Sequence, residues 1–211
     1  MLTHECFDLT PFAGMQAHTI EYDFSQYGTG PQLAGVVTGS GAGPVVPFTA
    51  TFGPALRMQM GANPGTATYT GPAINSNFVA AAIIDVTDMS YGGSGSPLWG
   101  IGWYNSALTY YSELFRDNTG VSLTTQNGSS GLREIHKAAK GDNLGLRYAK
   151  CGLYMDFVNN RVTAHMGYSM MQTTTNMPLG QDLSFKVRAL TTASQQNFDV
   201  YIRKIKLTLI P

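Results

Sequence analysis

Apolar and polar residues alternate most cleanly over Leu153–Met166, LYMDFVNNRVTAHM. The alternation runs up to Asn159–Asn160 and resumes after it, and asparagine tolerates the positive φ that a tight hairpin turn requires. The pattern predicts a two-residue type I′ turn at Asn159–Asn160. Phe157 then faces Val162, Met155 faces Ala164, and Leu153 faces Met166 on the buried side. Val158 with Arg161, Asp156 with Thr163, and Tyr154 with His165 fill the other side, so one register accounts for both strands.

The same period-two pattern recurs along the chain. Residues 17–24 (AHTIEYDF) put His18, Ile20, Tyr22 and Phe24 on one face, and residues 55–60 (ALRMQM) put Leu56, Met58 and Met60 inward. Short strands are expected at 66–70, 121–125 and 132–138, and a nearly continuous apolar strand at 77–86. Residues 98–115 carry the densest aromatics, and 182–190 align Leu183, Phe185 and Val187. In 197–210 the apolar parity changes between Ile202 and Ile205, which predicts a β-bulge near Arg203–Lys204. Residues 28–47, rich in glycine and proline, read as a loop, Asn63–Gly65 as a turn and 91–97 as a connector. Neither glycine-rich stretch has the strand-then-helix context of a nucleotide-binding loop. Residues 1–16 hold Leu2, Phe7, Leu9, Phe12 and Met15 without a period, broken by Pro11. They form an N-terminal arm that packs on its own domain or on a neighbouring subunit. About a dozen short strands, no helical period, no linker and no repeat predict an all-β chain. The expected architecture is a single antiparallel β-sandwich of jelly-roll type over residues 17–211.

Composition narrows the function. Charged residues make up 12% of the 211 residues, against about 25% in a typical domain, and the net charge is zero. The electrostatic terms that drive nucleic-acid binding and attraction to anionic membranes are missing, so neither partner is expected. Low charge gives little colloidal repulsion, which suits a protein that lives in an assembly. His4, Glu5 and Asp8 leave the first twenty residues without the basic start and apolar run of a secretory signal. The longest apolar run, Phe78–Ile84, is too short to span a bilayer. Cys6 and Cys151 read as free thilos of a chain folded in a reducing cytoplasm.

Three segments carry a resemblance. FGPALRMQM (52–60), NFVAAAIIDVTD (77–88), and LGLRYAKCGLYMDFVNNRVTAHMG (144–167) with the closing FDVYIRKIKLTLI (198–210) resemble strands of the concanavalin A-like jelly roll. That family includes legume lectins, laminin-G domains and several glucanases. The resemblance covers about half the chain and implies the fold, while the fold itself hosts many functions.

Glycoside hydrolysis requires two carboxylates flanking one bond. Of the four glutamates, Glu5, Glu21, Glu113 and Glu134, none lies in a Glu-x-Asp-x-Glu strand. YSELFR (111–116), EIH (134–136) and YAKCGLY (148–154) resemble three motifs of the jelly-roll alginate lyases. That resemblance implies His136 as the base that takes the α-proton and Tyr154 as the acid. Tyr111 replaces the family's arginine, however, and Glu134 replaces the glutamine that would neutralise a uronate. His4, His18, His136 and His165 lack ligand spacing, so no metal and no cofactor is expected. His165 reads as a cross-strand partner of Tyr154. Trp103, Tyr104 and Tyr111 are candidates to stack a sugar on a concave sheet. The competing reading places Trp99, Ile101 and Trp103 in the core and leaves Tyr104 and Tyr111 exposed.

The sequence therefore predicts a non-enzymatic structural or attachment module. The expected role is a virion accessory protein, such as a phage capsid decoration or fibre-type module, made in the host cytoplasm. Its expected partners are other virion proteins, further copies of itself and a surface glycan. A carbohydrate-binding module and a jelly-roll polysaccharide lyase are the alternatives.

Overall fold

The structure, a computed structural model, describes residues 7, 9–24, 36–38, 42–50, 53–60, 65–93, 98–117, 120–128, 133–139, 149–166, 169–174, 180–191 and 198–211. After a short 3-10 turn at Thr10–Phe12 come the strands β1 (His18–Asp23), β2 (Val36–Thr38), β3 (Ala42–Ala50), β4 (Gly53–Met60) and β5 (Gly65–Asn75). They are followed by β6 (Ala81–Gly93), β7 (Leu98–Asn105), β8 (Tyr110–Arg116), β9 (Gly120–Asn127) and β10 (Arg133–Ala139). The last five are β11 (Ala149–Asp156), β12 (Arg161–Met166), β13 (Ser169–Thr174), β14 (Asp182–Thr191) and β15 (Phe198–Ile210). The first sheet runs β13-β12-β11-β6-β15-β4-β3, with β1 also on β15; the second runs β10-β9-β8-β7-β14-β5-β2. Every pairing is antiparallel. No described helix is long and apolar enough to cross a membrane.

The two sheets bury the alternate residues of their strands against each other. Leu56, Met58, Ile84, Val86, Leu153, Met155, Ile205 and Leu207 come from the first sheet; Ile101, Trp103, Leu114, Leu123, Phe185 and Val187 come from the second. Tyr69, Phe185 and Trp103 interlock edge-on or tilted, with centroids 5.7 and 6.1 Å apart, as aromatic quadrupoles prefer. The expected β-sandwich is thus the observed one.

Several local expectations change; the strand expected at 77–86 runs Ala81–Gly93 and takes in the start of the 91–97 connector. Residues 28–47 are not all loop, because they include β2 and the start of β3. Pro44 and Pro47 lie in β3, which closes one edge of the first sheet, where a missing N–H can be tolerated. The parity change in β15 is real, since Val200 and Ile202 and then Ile205 and Leu207 are all buried. No net shift of register against β6 accompanies it: the offset is the same from Phe198↔Gly93 to Ile210↔Ala81, with no pair at Arg203. At this point β15 exchanges its other neighbour, from β4 at Asp199–Ile202 to β1 at Lys204–Leu209.

The β11–β12 hairpin pairs Met155 with Val162 and Leu153 with Ala164, two residues away from the expected register. Asp156 is the reason. Its carboxylate accepts from the backbone N–H and the side-chain amide of Asn159, both at 2.9 Å, and so builds a four-residue turn closed by Asp156↔Arg161. Asn160 supplies the positive φ, at 51°. A slip of two preserves the face of every side chain, so the predicted buried set survived the wrong turn.

The N-terminal segment lies on the outer face of the first sheet. Phe7, Leu9 and Phe12 form a small second core with Ala81, Ile83, Tyr154 and Ile210. The rings of Phe7 and Phe12 stand 5.1 and 6.5 Å from that of Tyr154. Truncating a buried phenylalanine typically costs about 3–5 kcal/mol. Phe12→Ala is expected to lower stability by about 3 kcal/mol in urea unfolding; an unchanged midpoint would mean the segment is not part of the folded unit.

Candidate functional site

The site is built on the middle strands of the second sheet. In β7, Trp99, Ile101 and Trp103 point into the core, so Gly100, Gly102 and Tyr104 fall on the outer face. Register carries that face across the sheet. Tyr111, Glu113 and Phe115 of β8 stand opposite Tyr104, Gly102 and Gly100; Ser184, Lys186 and Arg188 of β14 stand opposite the same three on the other side. On β9 the corresponding positions are Ser122, Thr124 and Gln126.

The two glycines are the floor. A Cβ at Gly100 would come within 2.7 Å of the Glu113 carboxylate and 2.8 Å of the Phe115 ring. One at Gly102 would meet the Ser112 carbonyl oxygen at 2.5 Å and the Tyr104 ring at 2.9 Å. Their absence lets large side chains from both neighbouring strands fold over the centre of the sheet. The Tyr104 hydroxyl donates to Glu113 Oε1 at 2.5 Å, and the same oxygen accepts from Arg188 Nε at 3.0 Å and from its terminal nitrogen. Tyr111 stacks on Tyr104, with centroids 5.6 Å apart and 27° between planes. Arg188 and Lys186 lie 5.2 and 5.7 Å from the Tyr104 ring centre, within cation–π range.

Burial dominates the electrostatics. It pushes the Tyr104 hydroxyl well above its ordinary value, and the adjacent Glu113 carboxylate adds to the effect. Burial alone would lower Arg188, but Tyr104 and Glu113 outweigh it and hold the guanidinium firmly charged. Lys186 is lowered, first by burial and then by the charge of Arg188 two residues away.

The predicted site residues divide as follows. Trp103 is fully buried between the sheets and cannot touch a ligand on the outer face, so the core reading of Trp99, Ile101 and Trp103 is the observed one. Tyr104 is on the outer face but only 2% exposed, which corrects the expectation of an exposed ring: Tyr111, Glu113 and Arg188 cover it. Tyr111 is the half-buried, accessible member of the pair. His136 and Tyr154 are not brought together. His136 stands opposite Leu123 on β10 of the second sheet, while Tyr154 is on β11 of the first, covered by Phe7 and Phe12. Burial, then Asp156, pushes the Tyr154 hydroxyl far up. His165 pairs with Gly152 rather than Tyr154; a Cβ there would meet its Nε2 at 2.5 Å. Burial likewise raises the Cys151 thiol, with a smaller push from Asp85, which leaves it unreactive. No described group of three His, Cys, Asp or Glu residues is arranged to hold a metal.

Glu113, Lys186 and Arg188 were missed as site residues. The signal was present in WGIGW (99–103), whose small residues alternate with large ones, and in SFKVRAL (184–190), whose cations share the parity opposite to the core.

No family model and no curated protein matches the chain. Solved structures do. The lectin from Bauhinia forficata in complex with GalNAc aligns over 91% of this chain and 98% of its own, with a TM-score of 0.55 and 14% identity. The CBM2 module of the evolved Dit of Lactobacillus casei BL23 phage J-1 aligns over 93% and 97%, with a TM-score of 0.56 and 13% identity. The β-glucanase of Bacillus licheniformis aligns over 92% and 98%, with a TM-score of 0.53 and 10% identity. The fold is a concanavalin A-like jelly roll. The likeness extends to the whole sandwich, and at these identities it is a likeness of fold.

The raised Tyr104 value fixes a dependence on pH. The folded chain holds this proton above pH 10.0, the ordinary value, so the stabilisation is complete below pH 10.0 and is lost as pH rises towards the folded value. Wild type is expected to lose about 1.4 kcal/mol more per pH unit above pH ~10 than Tyr104→Phe, measured by urea unfolding from pH 8 to 12. Equal slopes would place the hydroxyl in solvent.

Proposed function

We propose that the chain is a non-enzymatic attachment module that binds glycans on the outer face of its second sheet. We assign it the role of a virion accessory protein working among other assembly proteins and copies of itself. The observation that carries the glycan reading is the Tyr104–Tyr111 platform. A stacked tyrosine pair, one ring locked and the other accessible, lies on a flat floor of glycine among hydroxyl and amide side chains. A sugar ring presents an apolar face and a rim of hydroxyls, and such a surface meets both at low conformational cost.

The structural neighbours support the same reading. One is a lectin with GalNAc bound, and another is described as a CBM2 module of a phage Dit. The phage neighbour, together with the low charge of the sequence, supports the virion assignment. A binding role is also supported by the carboxylates. Among the described residues, the middle of this face holds only Glu113, already engaged by Tyr104 and Arg188, whereas hydrolysis uses a pair.

Titration calorimetry of the full chain against a panel of oligosaccharides tests the glycan reading. Tryptophan fluorescence is a poor reporter, because Trp99 and Trp103 are both buried. At least one oligosaccharide is expected to bind, and Tyr111→Ala to weaken it about tenfold or more, since an aromatic contact removed from a binding centre commonly costs over 1 kcal/mol. Unchanged affinity in a folded Tyr111→Ala variant would remove the platform from the site. Light scattering tests the assembly assignment: an oligomer is expected, and a monomer at all concentrations would overturn self-association.

A further inference from the structure

The charges on the tyrosine face do not balance. The chain as a whole carries 13 basic and 13 acidic residues. On the outer face of the second sheet, Lys186 and Arg188 project from the same side of β14 beside the tyrosines. Among the described residues, the one carboxylate in the middle of that face, Glu113, is committed to Arg188 and Tyr104. Asp182, at the end of β14, is held by the side-chain amide of Asn75 at 2.7 Å. No described carboxylate pairs with Lys186. Beside the tyrosines, two described cations therefore stand with one carboxylate, which already has protein partners.

Resting on the glycan reading above, we propose that this face selects acidic glycans, with Lys186 taking a carboxylate or sulfate of a sugar whose ring lies on the Tyr111–Tyr104 platform. The physical reason is a missing counter-ion. Two cations two residues apart on one face of a strand repel each other, and one carboxylate neutralises only Arg188. Lys186 is lowered chiefly by burial, and the neighbouring charge of Arg188 adds to it. A ligand anion relieves that repulsion, while a neutral sugar leaves it in place. Arg188, locked on Glu113 and over the Tyr104 ring, positions the platform; Lys186 remains available for the ligand.

The test uses the full chain in calorimetry at about 50 mM salt, where exposed charges are weakly screened. The probes are hexagalacturonate, hexamannuronate, a sialic acid tetramer and a heparin hexasaccharide, each beside a neutral oligosaccharide of matched length. At least one acidic probe is expected to bind about tenfold or more tighter than its neutral counterpart. Lys186→Ala is expected to bring it down to the neutral level, and Lys186→Arg to retain most of the preference. Lys206→Ala, on the first sheet, controls for general attraction and is expected to change nothing. Whether a uronate or the sulfated probe prevails identifies the anion. Neutral sugars binding as well as acidic ones, with Lys186→Ala silent, would overturn selection for charge and leave the glycan reading intact. Equal losses in Lys206→Ala and Lys186→Ala would reduce the preference to bulk charge and also overturn the assignment of Lys186. If no oligosaccharide bound, acidic or neutral, both readings would fall.

Discussion

Each sheet of the sandwich must bury one face, and that requirement leaves each with a spare one. Burial of alternate residues removes about 25 cal/mol of unfavourable hydration per Å² of apolar surface, so the inner faces are fixed by composition. The spare faces are not alike. In the first sheet the centre is apolar, with Ala81, Ile83, Tyr154 and Ile210, and the chain covers it with its own Phe7, Leu9 and Phe12. In the second sheet the centre is Gly100, Gly102 and Tyr104, flanked by Glu113 and Arg188, which pair with each other there. The N-terminal segment thereby covers the centre of one outer face with its own side chains.

The Tyr104–Glu113–Arg188 group shows how that second face is held. Taking a guanidinium and a carboxylate out of water is expensive, and their attraction compensates only with good geometry and added hydrogen bonds. Arg188 meets Glu113 through two nitrogens, and the Tyr104 hydroxyl joins the same oxygen. Such a group contributes little net stability while fixing the orientation of the rings around it. Tyr104 is clamped between Arg188 on one side and Tyr111 on the other. A platform locked before binding loses less entropy when a ligand arrives. The glycines are part of the same arrangement, because any side chain at Gly100 or Gly102 would occupy the space of the clamp.

The sequence revealed faces better than partners. Alternation identified Leu153, Met155, Phe157, Val162, Ala164 and Met166 as one buried set, and all six are in the core. It misread the turn, because Asn159–Asn160 signals a tight hairpin while Asp156 three positions earlier builds a wider one. The β3 strand was hidden by its prolines, which an edge position accommodates and an interior one would not. Tyr104 was placed on the correct face with the wrong exposure. Alternation assigns a side, but the cover over Tyr104 comes from β8 and β14, at sequence distances of 7 to 84 residues that no local pattern reports. The lyase-like motifs failed for the same reason: EIH and YAKCGLY are close in sequence, yet they enter different sheets.

That failure bears on how one jelly roll serves both binding and catalysis. The fold is shared with a β-glucanase, so architecture alone does not separate the two. Catalysis of glycoside cleavage depends on two carboxylates with free oxygens aimed at one bond. Here the central carboxylate oxygen accepts from Tyr104 and from Arg188 together, and the acid–base pair suggested by the lyase-like motifs is divided between opposite sheets. Among the described residues, this face holds a stacked tyrosine pair, a border of hydroxyl and amide side chains, and Lys186 and Arg188 beside Glu113. On the proposed glycan reading, these groups hold a ligand by contact and charge.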